Sequence, residues 1–238
     1  MDTIDTLALM RAPTALRPLL GQTVLVVEDS RFASEAVRMM CLRSGARIRR
    51  ADSLETAHRH LAIYLPTVLL VDVGLPDGSG IDLIKSLADA SPRIDVIIGT
   101  SGDATLKGAV MAAGADGFHE KPVESLLAFQ TMVLAHVPAD RQPPAPRIVK
   151  DEVISPDLIA YQDDLSHVAQ VLGRDSDSNT LDYVTQFLGG VAHSAHDHDL
   201  GHAITRLTQI RKEGRNPDQG VAALSDMVQL RLAAAGPI

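Results

Sequence analysis

Hydrophobic positions change their period twice along this chain. Between Thr23 and about Val137, short β-branched runs alternate with stretches of helical spacing. The runs TVLVVE (23–28), TVLLVD (67–72) and DVIIGT (95–100) are apolar almost throughout, as parallel strands covered on both faces are. ARIRRA (46–51) and DGFHE (116–120) are less apolar and are expected nearer the sheet edges. Helical spacing fills 31–44, 53–64, 80–90, 104–114 and 123–136, with Gly45, Gly80 and Gly114 at turns. Asp52 with Glu55 reads as a capping box for the second of these helices. Five strands alternating with five helices predict a doubly wound α/β domain with a parallel sheet over residues 21–138.

Past that point the pattern breaks. DRQPPAPRIVKDE (140–152) sets three prolines among charges, so residues 139–154 are expected to be a linker. Beyond it the period is helical only. Ser155-Pro156 opens a helix with apolar positions 158, 161, 165, 168 and 172, stopped by Gly173. A second has 181, 184, 188, 191 and 195. A third, capped by Asp199, has 200, 203, 204 and 207 and ends at Gly214. Asn216-Pro217 starts a fourth with 221, 224, 227 and 228. Short loops between four amphipathic helices predict an antiparallel bundle over residues 155–238. Residues 1–20 are left as an N-terminal arm.

Composition narrows the function. The 238 residues carry a net charge of -8, which argues against non-specific grip on nucleic acid or anionic lipid. The single cysteine, Cys41, excludes an internal disulfide and any multi-cysteine zinc site. No apolar run approaches the ~20 residues that span a bilayer, and the acidic N-terminus lacks the apolar core of a secretion signal. The expectation is a soluble protein of a reducing cytoplasm.

Candidate chemistry collects where a doubly wound sheet puts it, at the carboxyl ends of the strands. Those ends read Glu28 and Asp29, then Asp72, then Thr100, then Lys121 with Pro122. Three carboxylates converging in one crevice repel each other unless a cation neutralises them, and oxygen-only donors suit Mg²⁺. A lysine and a hydroxyl facing the same point would stabilise an added phosphoryl group. The implied chemistry is phosphoryl transfer onto a carboxylate.

VLVVEDS, VDVGLPDGSG, IIGTS and AAGADGFHEKP, in this order, resemble the receiver domain of two-component response regulators across residues 21–138. The resemblance implies that Asp72 is the phosphoacceptor, and that a sensor histidine kinase or a histidine phosphotransfer protein donates the phosphoryl group. It implies that Asp29 and Asp72 ligate Mg²⁺, that Glu28 holds a metal-bound water, and that the Gly74 carbonyl completes the protein ligands. Thr100 becomes the switch hydroxyl, with Ser101 as its rival, and Lys121 the phosphate-binding cation. Phe118 becomes the aromatic that rotates inward, and Pro122 follows a cis peptide bond. Gly74 and Gly102, two residues beyond Asp72 and Thr100, would leave water a path to the phosphorus, which predicts a short-lived phosphate. Cys41 is expected in the core.

The helical part is harder to read. Residues 139–238 hold nine Lys/Arg and fourteen Asp/Glu, and the cations of TRLTQIRKEGR (205–215) sit at a helix end, where they complement its dipole. That argues against DNA reading. AHSAHDHDLGH (192–202) groups His193, His196, His198 and His202. Three readings stand: an exposed turn, a metal or proton-sensing site, or a degenerate histidine-phosphotransfer site. For the last, Ala192-His193-Ser194 matches the start of the motif, but Ala195, His196 and Asp197 replace its leucine, lysine and glycine. VESLLAFQTMVLAHV, the last helix of the α/β domain, is apolar over nearly half its circumference, as for an ordinary core helix or one that also meets a partner. The overall expectation is a phosphorylation-controlled switch whose helical part makes a protein contact or a homodimer. The alternatives are a phosphate shuttle through His193 and a DNA-binding regulator.

Overall fold

The computed structural model describes residues 12–123, 125–144, 152–174 and 177–234, which divide into two compact units. The first is the α/β domain. Its strands β1 (Thr23–Val27), β2 (Arg47–Ala51), β3 (Val68–Asp72), β4 (Val96–Ser101) and β5 (Gly117–Glu120) form one parallel sheet in the order β2-β1-β3-β4-β5. The helices between them are α1 (Arg31–Ser44), α2 (Leu54–Leu61), α3 (Gly80–Ala88) and α4 (Lys107–Ala112, preceded by a 3-10 turn at Ala104–Leu106); α5 (Leu126–Leu134) closes the domain.

The apolar runs are central because they are covered twice. Alternate residues of β1, β3 and β4 face two separate cores. Val24, Val26, Val68, Leu70, Val96 and Ile98 pack with Met40, Cys41, Phe129 and Val133 on one side. Leu25, Val27, Leu69, Val71 and Ile97 pack with Ala57, Leu83, Ile84 and Val110 on the other. β2 and β5 are the edges, as their polarity requires, and Arg47, Arg49 and Arg50 stand exposed on β2.

Local signals shift in two places. α2 begins at Ser53, not Asp52: the Ser53 hydroxyl accepts from the Thr56 amide and the Thr56 hydroxyl accepts from the Ser53 amide. Asp52 instead accepts from both of those hydroxyls. The capping box is real but lies one residue along, because Thr56 serves as well as the glutamate sought at that position.

The described ends of the proline-rich stretch are not free chain. Gln142 donates its side-chain amide to the carbonyls of Leu134 and Val137 at the end of α5, and Arg141 pairs with Asp95. At the other end the Leu126 amide donates to the Glu152 carbonyl at 2.9 Å, Val153 bridges Ser125, and Glu152 pairs with Arg43 at 2.7 Å. Ile154 is 5% exposed and joins the core that holds Phe129 and Val133. The extra apolar width of α5 is therefore used: Leu126 packs into this core while Leu127 stays on the surface.

The second unit, described by itself, contains α6 (Leu158–Arg174), α7 (Ser178–Ser194), α8 (His198–Lys212) and α9 (Asp218–Ala234). Leu165, Val168, Leu181, Val184, Leu188, Val191, Leu200, Ile204, Leu207, Leu224 and Val228 are buried at the expected helical spacing. Phe187 joins them, whereas Leu158 at the start of α6 is exposed. α8 is capped by Asp197 and not by Asp199: Asp197 accepts from the Leu200 amide at 3.0 Å. The same carboxylate accepts from the Tyr161 hydroxyl at 2.6 Å and from Arg231 through two nitrogens at 2.5 and 2.7 Å. One side chain thus ties α6, the α7–α8 turn and α9.

Among the described residues no helix is long and apolar enough to cross a membrane.

Candidate functional site

Parallel pairing fixes the site before any side chain is considered. β1 and β3 run side by side with Val27 opposite Val71, and β3 pairs β4 with Asp72 opposite Thr100. Residues at or just past the strand ends therefore meet at one edge: Glu28 and Asp29 from β1, Asp72 from β3, Thr100 from β4. Lys121 arrives directly after β5, its amide donating to the Ser101 carbonyl at 2.8 Å.

Glu28, Asp29 and Asp72 place carboxylate oxygens within 4.8 Å of one another. The Lys121 ammonium lies 2.5 Å from a Glu28 oxygen and 3.1 Å from an Asp72 oxygen. Glu28 and Asp72 are almost fully buried, so neither charge is well hydrated. Burial, with the neighbouring Asp72 and Asp29 carboxylates and against the pull of Lys121, raises the Glu28 carboxyl to about 8. The ammonium is also raised, because the attraction of Glu28 and Asp72 outweighs its own desolvation. Three carboxylates against one ammonium leave excess negative charge on hard oxygen donors, a donor set that fits a hard divalent cation. These are the only His/Cys/Asp/Glu residues among those described that gather in this way. His193, His196, His198 and His202 do not.

The loop after Asp72 is held tightly. Val73 donates to the Thr100 carbonyl, Gly80 donates to the Val73 carbonyl, and Gly74–Leu75 pairs antiparallel with Gly78–Ser79. Leu75 is buried in the second core. At the tip, both Asp77 oxygens accept backbone amides at the start of α2, Leu54 at 2.8 Å and Glu55 at 2.9 Å. Gly80 is required here by closeness and not by conformation. A Cβ on it would lie 2.0 Å from the Asp72 carbonyl oxygen. The sequence marked Gly80 only as a turn residue and did not mark Asp77; its place in a proline–aspartate–glycine turn was the available signal.

Around this centre, the Thr100 hydroxyl is buried and donates to the Val71 carbonyl at 3.3 Å. Ser101 is also buried, but its hydroxyl accepts from the Asp103 amide. Phe118 is half-buried at the margin of the second core. The Lys121–Pro122 peptide is cis, as is Ser91–Pro92. A Cβ on Gly102 would meet nothing within 4 Å.

His193 lies exposed in the last turn of α7. The chain then turns through His196, whose φ of 54° is left-handed, and the Asp197 amide donates to the Ala192 carbonyl at 2.8 Å. The histidine-rich stretch is thus a helix-ending turn.

Residues 24–130 match the family model described as "Response regulator receiver domain". The KDP operon transcriptional regulatory protein KdpE of Escherichia coli K12 is 31% identical over 99 residues, 42% of this chain and 44% of that protein. The virulence transcriptional regulatory protein PhoP of Salmonella typhimurium is 31% identical over 108 residues, 44% of this chain and 48% of that protein. The chain thus spans less than half the length of these curated relatives. A crystal structure of a putative response regulator from Chloroflexus aurantiacus is 30% identical, covering 48% of this chain and 98% of that one, with a TM-score of 0.44.

Proposed function

Residues 24–130 form a receiver domain of the response regulator family, and from that premise we propose that the chain is a phosphorylation-controlled switch with Asp72 as phosphoacceptor. One observation carries the reading: three carboxylates within 4.8 Å of one another, with the Lys121 ammonium 3.1 Å from Asp72, at the carboxyl edge of the sheet.

The donor is a phosphohistidine on a sensor kinase or a phosphotransfer protein. A carboxylate oxygen of Asp72 attacks phosphorus, the N–P bond breaks as the O–P bond forms, and the imidazole leaves with a proton from solvent. Lys121 moves its charge onto a phosphoryl oxygen. The Thr100 hydroxyl, register-paired with Asp72, gives up the Val71 carbonyl for another phosphoryl oxygen. Ser101 is less suited to this, since its hydroxyl already accepts from the loop amide of Asp103. Asp29, Asp72 and the Gly74 carbonyl would hold Mg²⁺, with Glu28 on a bound water, and the ion would neutralise charge on the transferring group. Phe118, at the edge of its core, follows Thr100 and remodels the surface beside β5.

Hydrolysis reverses the modification: water attacks phosphorus, the O–P bond breaks, and the Asp72 carboxylate is regenerated with inorganic phosphate. Gly74 and Gly102 leave that approach open, which supports a short-lived phosphate. The helical unit then supplies the output as a protein contact, in the reducing cytoplasm, where the buried Cys41 thiol suits it. The transcriptional regulatory role in the names of the relatives belongs to proteins of which this chain matches less than half, and the charge balance of residues 139–238, nine Lys/Arg against fourteen Asp/Glu, argues against a grip on nucleic-acid phosphates.

Intact mass after incubation with acetyl phosphate and Mg²⁺ tests the reading. One added phosphoryl group on wild type and none on Asp72→Ala is the expected result. No addition to wild type, together with no beryllofluoride complex, overturns it.

A further inference from the structure

We propose that Asp77 is a positioning residue for the cation: it struts the two walls of the carboxylate crevice at a fixed width, and so makes the site discriminate Mg²⁺ from the larger Ca²⁺. The inference rests on the reading of this site given above, in which Asp29, Asp72 and the Gly74 carbonyl hold the ion, and the test below separates the two.

The two walls come from different strands, Glu28 and Asp29 from the end of β1, Asp72 and Gly74 from the end of β3. Pairing between those strands runs as far as Val27 opposite Val71, so Glu28, Asp29 and Gly74 lie past it. A second route joins them. The Glu28 amide donates to the carbonyl of Ala51, the last residue of β2, at 2.9 Å. Asp52 and Ser53 lead from there into α2, whose first two amides, Leu54 and Glu55, donate to the two oxygens of Asp77 at 2.8 and 2.9 Å. Pro76 and Leu75 lead back to Gly74. These bonds close a ring from one wall of the crevice to the other, and the Asp77 carboxylate is the side-chain link in it.

The contact is fitted on both sides. Leu54 and Glu55 sit in the first turn of α2, where a helix has no acceptor of its own to offer and where negative charge meets the positive end of its dipole. Ser53, the N-cap, spends its hydroxyl on the Thr56 amide. Asp77 therefore completes a turn that Ser53 leaves unfinished. The loop behind it is seated as well: Leu75 is buried in the second core, and Leu54 packs against that same core. A Cβ on Gly78 would lie 2.7 Å from a Leu54 methyl, so turn and helix are in close contact. At its base the loop is fixed by Val73 donating to the Thr100 carbonyl and Gly80 to the Val73 carbonyl. Held at base and tip, the Gly74 carbonyl has little freedom to retreat before a larger ion.

That rigidity bears on which ion is held. Mg²⁺ demands near-ideal octahedral geometry at about 2.0–2.1 Å, whereas Ca²⁺ accepts irregular shells at roughly 2.3–2.6 Å. A fixed width suits the first ion, and a site that can open suits the second. Cutting the strut lets the Gly74 carbonyl drift, which costs the exacting ion more than the tolerant one. Groups that orient a metal's ligands from outside are worth about 10–100-fold in affinity. Asp77 is exposed, which puts it at the lower end of that range.

The test is titration of the full chain with magnesium chloride and with calcium chloride, read by NMR at the Glu28 and Asp72 amides. Asp77→Ala is expected to weaken Mg²⁺ about tenfold and Ca²⁺ by no more than about twofold, so the ratio of the two affinities falls about fivefold. Asp77→Asn, which keeps one acceptor oxygen, restores part of that ratio. Faster hydrogen exchange at Leu54 and Glu55 reports that the strut has been cut. Should Asp77→Ala not fold, Asp77→Asn carries the same comparison against wild type. A merely structural role would weaken both ions together, so an unchanged ratio in a folded variant overturns the strut while leaving the cation site standing. Wild type that binds neither ion overturns both.

Discussion

Gly80→Ala adds one methyl group at the point where α3 passes beneath the end of β3. The new Cβ would sit 2.0 Å from the Asp72 carbonyl oxygen, 2.8 Å from a Val71 methyl and 2.9 Å from the Asp72 carbonyl carbon, where ordinary contact begins at 3.4 Å. Two of the three atoms are backbone, so no rotamer change relieves the clash. The chain at Asp72, or the first turn of α3, must move by about 1.4 Å. Overpacking of this kind costs about 1–3 kcal/mol. For a domain of this size that lowers the melting temperature by roughly 4–15 °C. The loss of function should be larger than the loss of stability, because misplacing a reacting group by ~1 Å can lower a rate about a hundredfold. The assay is phosphorylation of the full chain by acetyl phosphate and Mg²⁺, followed by intact mass, at a temperature where circular dichroism shows the variant folded. A variant that keeps its rate within twofold and melts with the wild type would refute the reasoning, since the strand end would then be free to yield.

Three further outcomes follow from the same geometry. Glu28 is held up at about 8 by burial, so without divalent metal the folded protein binds more protons than the unfolded chain between roughly pH 4.5 and 8, and stability falls as pH rises through that window. Mg²⁺ requires the carboxylate, so its affinity should rise over the same range with release of up to one proton, seen as a buffer-dependent calorimetric heat; a pH-independent affinity would contradict this. Cys41 is fully buried and its thiol pushed up to about 12, so iodoacetamide should label it only under denaturant, and rapid labelling of the folded chain would be the contrary result. Asp197, drawn down to about 2 by Arg231 and Tyr161 against its own desolvation, contributes stability that is present above its unfolded pKa and lost as pH falls from roughly 4 through 2. Asp197→Ala should remove that acid transition and loosen the second unit by about 2–4 kcal/mol, read by denaturant melts of the full chain.

The parts legible in the sequence share a cause. β1, β3 and β4 are apolar on both faces because both faces are covered, and that burial leaves no room for a competing pattern. Glu28, Asp29, Asp72, Thr100 and Lys121 could be placed because strand ends in a parallel sheet all open on one edge. What escaped depends on choices between near-equal neighbours or on contacts far along the chain. Asp52 and Ser53 are both good caps, and Asp197 and Asp199 both stand at the start of α8, one as its cap and one in its first turn; the partner decides, Thr56 in one case, Tyr161 and Arg231 in the other. Ile154 is a single apolar residue after a proline-rich, charged run, and composition alone cannot show that α5 keeps a seat for it. The closeness of Gly80 to Asp72 is likewise a matter of through-space packing, invisible in any local window.

An open sheet has two edges, and each is a template on which a second copy could add a strand. β2 carries Arg47, Arg49 and Arg50 along its exposed length, so antiparallel pairing of two such edges would set arginines against arginines. β5, at the opposite edge, offers only four residues and ends in Glu120. The sheet therefore resists extension between molecules at both ends. Self-association, where it occurs, is left to the helices, and the concentration of the protein can rise without its strands seeding aggregates.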